Sequence, residues 1–177
     1  MILFFDKIID VLNSKNIPYM LSGSVAMSLY IVPRATRDFD FVIHLLPKDV
    51  DVFAGHFQDG YYCNKESVME AAVNHGMFNI IDHQSGYKAD FIVLKNDTFR
   101  KHEFERKTKL DYFGKSIYVV TPEDLLISKL IWIQDLQSGI QSEDIRNLSE
   151  LKSLDWAYIK RWIYTLNLKT FNLLRHE

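Results

Sequence analysis

The segment Gly23–Phe41, GSVAMSLYIVPRATRDFDF, places a Gly-Ser pair 13 residues before the sequence Asp-Phe-Asp-Phe. Before it, Tyr19–Ser22 has the short extended pattern of a strand, and after the glycine the small and apolar residues Val25–Ile31 predict a short helix. Pro33 is expected to stop that helix. Asp38–Leu46 then predicts a central strand, because its acidic and apolar residues first alternate and then give way to an apolar run.

Acidic residues in this pattern point to metal chemistry. Asp38 and Asp40 are two apart in a strand, so both side chains share one face, while Phe39 and Phe41 point to the other. Paired carboxylates repel each other unless a cation lies between them, and they are typical Mg²⁺ ligands. Asp90, in the predicted strand YKADFIVL, adds a third carboxylate if that strand lies beside the first. Three carboxylates can hold two magnesium ions for phosphoryl-group displacement.

The Gly-Ser pair supplies a complementary feature. Gly23 permits a close approach of the backbone to a ligand, and the amides at the start of the following helix suit a phosphate. Each motif also has a structural interpretation, since a Gly-Ser pair alone is usually a loop and an Asp-x-Asp alone is usually a solvated strand edge. The combination is much less common than either part.

The order of predicted elements indicates an α+β fold, a mixed twisted β-sheet flanked by helices with a short C-terminal helical extension. Thr121-Pro122-Glu123-Asp124 has the cap, proline and first-turn acids that begin a helix. We therefore predict a core over residues 1–120 and helices over 121–177, packed as one structural unit. The other predicted elements are a helix ending near Lys15, helices over 47–58, 67–73, 97–107, 141–151 and 156–166, strands over 77–82 and 87–94, and a hairpin over 112–120.

Composition limits the classes of function. The chain has 177 residues, 47% of them hydrophobic, and a formal net charge of -2, so it suits one compact domain and provides no global field for a polyanion. Cys63 is the single cysteine, which excludes an internal disulfide and a thiolate zinc cluster and predicts a cytoplasmic protein. The N-terminal apolar run contains Asp6 and Lys7 and predicts an amphipathic helix. No apolar stretch reaches the roughly 18 residues of a membrane span.

These motifs resemble the signature of the polymerase-beta-type nucleotidyltransferase superfamily. RATRDFDF and TPEDLLISKL narrow the resemblance to small bacterial members related to the abortive-infection toxin enzymes. The helical part resembles the same group through a Lys-Leu, Ser-x-x-Gln-x-x-Asp-Ile pattern. That pattern corresponds here to Lys129-Leu130, Ser138, Gln141 and Asp144-Ile145. The resemblance covers about residues 18–150.

The resemblance implies a fold, an activity and a set of site residues. It implies the nucleotidyltransferase fold, with the helical extension closing one side of a nucleotide cleft, and transfer of a nucleoside monophosphate from a nucleoside triphosphate such as ATP to an acceptor hydroxyl, releasing pyrophosphate. The cofactor implied is Mg²⁺, as two ions, with Mn²⁺ as a substitute. The implied metal ligands and catalytic residues are Asp38, Asp40 and Asp90, with Asp90 as candidate base, and the implied nucleotide-binding residues are Gly23, Ser24, Arg34, Thr36 and Lys129.

Alternatives remain open at several positions. Arg34 could instead pair with an acid, Lys129 could keep its amine in water, and Asp144 is expected to anchor helix packing or a cap. The basic residues between Lys95 and Lys115 would suit a groove for nucleic acid, but the intervening acids favour a solvated helix. At the level of function, the alternatives are an inactive binding partner in a toxin–antitoxin complex and a phosphate-releasing hydrolase. The acceptor could be a tRNA end, a protein or a small molecule.

Overall fold

The structure is a computed structural model that describes residues 2–136 and 138–175. Its described residues fall into two compact units. The first comprises the chain up to Ala26 and Arg34–Val120, and the second comprises Met27–Pro33 and the chain from Thr121 onward. The change of architecture predicted at Thr121 coincides with a unit boundary, but the second unit also contains a segment from the N-terminal part of the chain. The prediction that both parts form one structural unit stays a prediction.

In the described residues, seven strands form one mixed sheet in the order β3-β4-β5-β2-β1-β7-β6. Strands β1 and β2 are antiparallel, whereas β2 and β5 are parallel, as are β1 and β7. The sheet therefore confirms the predicted mixed α+β architecture. The strands are β1 (Tyr19–Ser22), β2 (Asp38–Ile43), β3 (Tyr61–Tyr62), β4 (Met77–Asp82), β5 (Lys88–Val93), β6 (Thr108–Tyr112) and β7 (Lys115–Val119).

One face of the sheet is covered by helices with aromatic side chains. Phe5 of helix α1 lies against Phe39 and Phe41 of β2, with ring centroids 5.2 and 6.0 Å apart. Phe53 of helix α3 packs edge-on against Phe91 of β5. Because side chains alternate along a strand, this packing turns the acidic residues of β2 to the opposite face. The helices before Val120 are α1 (Ile2–Ser14), α2 (Gly23–Met27), α3 (Val50–Gly55), α4 (Lys65–Asn74) and α5 (Thr98–Glu105).

Several predicted helices are shorter in the structure, two of them markedly. Helix α2 ends at Met27, and the amides of Tyr30 and Ile31 both donate to the Met27 carbonyl in the turn that follows it. The helix predicted over residues 47–58 consists of a 3-10 turn, Pro47–Asp49, followed by α3. The two-residue strand β3 was not predicted from the sequence.

The second unit contains helices α6 (Pro122–Asp135), α7 (Gly139–Ser149) and α8 (Trp156–Thr165). Thr121 caps α6 as predicted, accepting a hydrogen bond from the Asp124 amide. The buried Asp124 carboxylate accepts hydrogen bonds from Thr121 Oγ1, at 2.7 Å, and from the Tyr158 hydroxyl on α8. The cap of α6 thus also fixes α8. No helix among the described residues has the length and apolarity needed to cross a membrane.

Candidate active site

The predicted acidic residues meet on one face of the sheet, where β2 and β5 begin. In the parallel pairing of these strands, Asp40 lies directly opposite Asp90, and Asp38 lies opposite Lys88. All four side chains are partly exposed, while Phe39 and Phe41 on the other face are buried. Neighbouring positions on adjacent strands place side chains about 5 Å apart on the same face. Strand β5, which carries Asp90, is therefore the direct neighbour of β2, which carries Asp38 and Asp40. The sequence predicted that the three carboxylates would lie together if these two strands were neighbours.

This polar face extends over four adjacent strands. Ser22 at the end of β1 pairs with Asp40, and Asn79 of β4 pairs with Asp90. Ser22, Asp40, Asp90 and Asn79 thus form one row of polar residues across β1, β2, β5 and β4. We call this row, together with Asp38 and Lys88, the carboxylate face.

Gly23 follows Ser22 directly and adopts φ +63°, a left-handed conformation that favours glycine. A Cβ atom at this position would lie 1.8 Å from Asp40 Oδ2. The missing side chain therefore makes room for a carboxylate of the site, whereas the sequence alone suggested room for a ligand. The turn and the acidic pair are in contact, although 16 residues separate Gly23 from Asp40 in the chain.

Lys88 provides a positive charge inside the carboxylate face. Its Nζ lies 2.8 Å from Asp90 Oδ2 and 3.9 Å from Asp38 Oδ1. The hydrogen bond to Asp90 raises the pKa of Lys88, burial works against this rise, and the negative charges of Asp90, Asp38 and Asp40 add to it. The ammonium thus interacts with all three predicted carboxylates.

The donor set of this face suits a hard divalent cation, since carboxylate oxygens are the ligands that Mg²⁺ prefers. A cation does lie among these oxygens, but it is the Lys88 ammonium. Within residues 2–136 and 138–175, no three His, Cys, Asp or Glu side chains are grouped closely enough to hold a metal ion. The chemistry of these residues therefore fits a metal, while in this structure one lysine offsets part of their negative charge.

The predicted phosphate-binding residues lie beside this face. Arg34 Nη2 donates to Ser24 Oγ at 2.5 Å, so the two residues are joined across the loop after β1. Thr36 Oγ1 accepts a hydrogen bond from the Asp38 amide at 3.3 Å and thereby braces the turn into β2. Arg34 is exposed, and it contributes positive charge next to the Gly23–Ser24 turn. Helix α2 has only five residues, so its dipole adds less than a full helix would.

In the structure, Lys129 contacts side chains of helix α7, whereas the sequence resemblance implied contact with the triphosphate. Its amine is buried in the second unit, 2.8 Å from Asp144 Oδ2 and 3.2 Å from Gln141 Oε1. Ser138 caps helix α7 by accepting from the Gln141 amide. The Lys-Leu, Ser-x-x-Gln-x-x-Asp-Ile pattern thus describes a contact between α6 and α7. In this structure the ammonium is paired with a buried carboxylate, and the assignment of Lys129 to nucleotide binding stays a prediction.

Two members of the carboxylate face, Lys88 and Asn79, were not predicted from the sequence. A signal for Lys88 was present, since YKADF alternates and therefore places Lys88 and Asp90 on the same side of β5. Asn79 had no comparable signal, because its position beside Asp90 depends on the pairing of β4 with β5.

The fold is shared with solved nucleotidyltransferase structures. No protein-family model matches the chain, and no curated protein matches it. The solution structure of the antibiotic-resistance factor ANT(2'')-Ia matches 92% of this chain and 89% of its own, with a TM-score of 0.58 and 12% sequence identity. The crystal structure of ANT(2'')-Ia in complex with adenylyl-2''-tobramycin covers 93% of this chain and 95% of its own, with a TM-score of 0.56 and 13% identity.

At 12% and 13% identity, the similarity to these structures shows the fold alone. The protein has the nucleotidyltransferase fold, a mixed sheet flanked by helices, as the sequence predicted. It spans nearly the full length of both ANT(2'')-Ia structures.

Proposed function

We propose that this protein transfers a nucleoside monophosphate from a nucleoside triphosphate to an acceptor hydroxyl and releases pyrophosphate. The observation that carries this proposal is the carboxylate face, where Asp40 and Asp90 are direct neighbours and Asp38 lies beside them. The Gly23–Ser24 turn touches the same face through Asp40. A glycine turn beside neighbouring carboxylates suits phosphoryl-group displacement, which depends on positioning the phosphates and on stabilising their charge.

Mg²⁺ is the cofactor that we propose, with Mn²⁺ as a substitute. Asp38, Asp40 and Asp90 would hold two ions, since each supplies hard oxygen ligands on the same face of the sheet. When bound, such ions stabilise the negative charge that develops on the transferring phosphate and on the leaving pyrophosphate.

The residues of the chain supply the remaining steps. The acceptor oxygen forms a bond to the α-phosphorus, and the bond from that phosphorus to the bridging oxygen of pyrophosphate breaks. Asp90 accepts the hydroxyl proton, because its carboxylate lies on the same face as the predicted metal ligands. Ser24 and Arg34, already hydrogen-bonded to each other, orient the triphosphate.

A small hydroxyl compound is the acceptor class that we propose first. ANT(2'')-Ia, which has the same fold, has been crystallised with an adenylylated tobramycin, the product expected from transfer to a small molecule. RNA and protein acceptors are tested beside it. We also propose a cytoplasmic location, based on the single cysteine, and a relation to the abortive-infection toxin enzymes, including a protein partner, based on the RATRDFDF and TPEDLLISKL motifs.

The proposal is tested with the intact protein, Mg²⁺ and nucleoside triphosphates labelled at the α-phosphate, incubated with pools of small hydroxyl compounds, RNA or protein. We expect the label to move to one pool with equimolar release of pyrophosphate. Asp38→Asn and Asp40→Asn should each lower the transfer rate by on the order of a thousandfold, since each removes a carboxylate that would hold the ions whose charge stabilises the transition state. Asp90→Asn should abolish transfer and retain part of the metal affinity.

Asp51→Asn provides the matched control. Asp51 is an exposed carboxylate of helix α3 that pairs with Lys65 at 2.9 Å, away from the carboxylate face. Its removal should leave transfer unchanged. Release of phosphate in place of pyrophosphate would identify a hydrolase. A protein that binds neither metal nor nucleotide would contradict the proposal and favour the binding-partner alternative.

A further inference from the structure

Lys88 occupies a defined place in the carboxylate face. It is in register with Asp38 on β2 and precedes Asp90 by two residues on β5, so its side chain leaves the sheet on the acidic side. The Nζ atom lies 2.8 Å from Asp90 Oδ2 and 3.9 Å from Asp38 Oδ1. About a third of the Lys88 side chain is exposed, so its amine is accessible to solvent on this face.

A charge of this kind is needed in the metal-free protein. Asp38, Asp40 and Asp90 lie at adjacent register positions, where like charges destabilise the sheet. Lys88 relieves this repulsion with a compact point charge on a flexible stem.

We propose that Lys88 is the built-in counter-cation of the carboxylate face, and that a divalent ion binds there only by displacing its amine from Asp90. The inference rests on the proposed function, since it assigns the same carboxylates to metal. It makes Lys88 a positioning residue that acts through the acidic side chains.

Competition follows from the shared oxygen atom. Mg²⁺ binds carboxylate oxygens at about 2.0–2.1 Å, so an ion on Asp90 Oδ2 would share that oxygen with the Lys88 ammonium. The amine and the ion would also repel each other at this separation. Metal binding to the wild-type protein therefore includes the cost of breaking the Lys88–Asp90 pair, and removal of the lysine charge should strengthen binding.

The test measures Mn²⁺ affinity of the intact protein without nucleotide, by electron paramagnetic resonance of free Mn²⁺. Lys88→Met should tighten binding by about tenfold or more, because it removes the competitor and makes the face more negative. Lys88→Arg keeps the charge and should bind Mn²⁺ as the wild type does. If Lys88→Met does not fold, Lys88→Gln replaces it, since it also removes the charge and should tighten Mn²⁺ binding to a similar extent.

Lys115→Met is the matched control. Lys115 of β7 also lies between two carboxylates, 2.7 Å from Asp10 Oδ1 and 3.6 Å from Asp6 Oδ1. Both of these carboxylates belong to helix α1 and not to the carboxylate face. Its loss should leave Mn²⁺ affinity unchanged. Equal affinities for folded Lys88→Met, Lys88→Gln and wild type would overturn the competition while pyrophosphate release by the wild type still supports transfer. Absence of both Mn²⁺ binding and pyrophosphate release would overturn the proposed function together with this inference.

Discussion

Gly23 shows how one residue meets two separate requirements. Its φ of +63° belongs to a region in which a Cβ atom meets the following carbonyl group. Its Cα also faces the Asp40 carboxylate so closely that a Cβ would lie 1.8 Å from Oδ2. The first requirement is general to tight turns, whereas the second concerns only this site.

Gly23→Ala is therefore expected to damage the site more than the fold. The left-handed conformation should cost about 1–2 kcal/mol of stability. Displacement of Asp40 by the new methyl group should lower the transfer rate by on the order of a hundredfold, the effect of a misplacement of about 1 Å in an active site. Urea denaturation measures the first effect and pyrophosphate release measures the second.

Gly114→Ala separates these two effects. Gly114 has φ +76° in the β6–β7 turn, but nothing lies within 4 Å of its missing Cβ atom. It should lose similar stability and keep the full transfer rate. Equal rates for Gly23→Ala and the wild type would show that the Asp40 position is not critical.

At the scale of elements, the contact between α6 and α7 depends on a buried ion pair. Lys129 and Asp144 are 2.8 Å apart, and their side chains are 6% and 2% exposed. Gln141 adds an acceptor at 3.2 Å, so the lysine has partners on two successive turns of α7. Removal of one charge from such a pair leaves the other buried without its counter-charge.

Asp144→Ala should therefore destabilise the protein by about 3–5 kcal/mol, measured by urea denaturation. The double variant Lys129→Met/Asp144→Leu should recover most of this loss, because two apolar side chains avoid the buried charge. In the same unit, Glu150→Ala breaks the exposed Arg175–Glu150 pair and should cost less than about 1 kcal/mol. A loss for Asp144→Ala as small as that for Glu150→Ala would contradict a structural role for the pair.

The elements also show what the sequence can predict. Strands β1 and β4 begin and end at the predicted residues, because a short extended run before Gly23 defines β1 and alternation followed by a turn defines β4. Strand β3 has two residues and exists only through its pairing with β4, so no local period indicates it. The same limit applies to the site. Asp38 and Asp40 share a face by local geometry, as do Lys88 and Asp90, but the Lys88–Asp38 contact and the burial of Lys129 depend on partners distant in sequence.

At the scale of the whole molecule, charge bears on the choice of acceptor. The net charge is -2, so a polyanionic acceptor would need a local basic groove. Two basic residues of the segment after Lys95, Arg100 and Lys107, make internal contacts. Arg100 donates to the buried Glu103 at 2.9 Å, and the Lys107 amine donates to the Phe104 carbonyl and lies 4.0 Å from the Phe104 ring centroid. Burial lowers the pKa of Lys107.

We therefore expect the intact protein to bind RNA weakly. Fluorescence anisotropy with labelled tRNA should give a dissociation constant weaker than about 100 µM at 150 mM salt, the weak end of non-specific binding. Lowering the salt to 50 mM should change this little, because few phosphates are neutralised, whereas a groove with six to ten phosphate contacts would gain about a thousandfold or more between 200 and 50 mM. A constant below about 1 µM with a steep salt dependence would instead favour an RNA acceptor. Lys101→Glu combined with Lys109→Glu would then test the exposed lysines of this segment, since a groove formed by them loses affinity and salt dependence together.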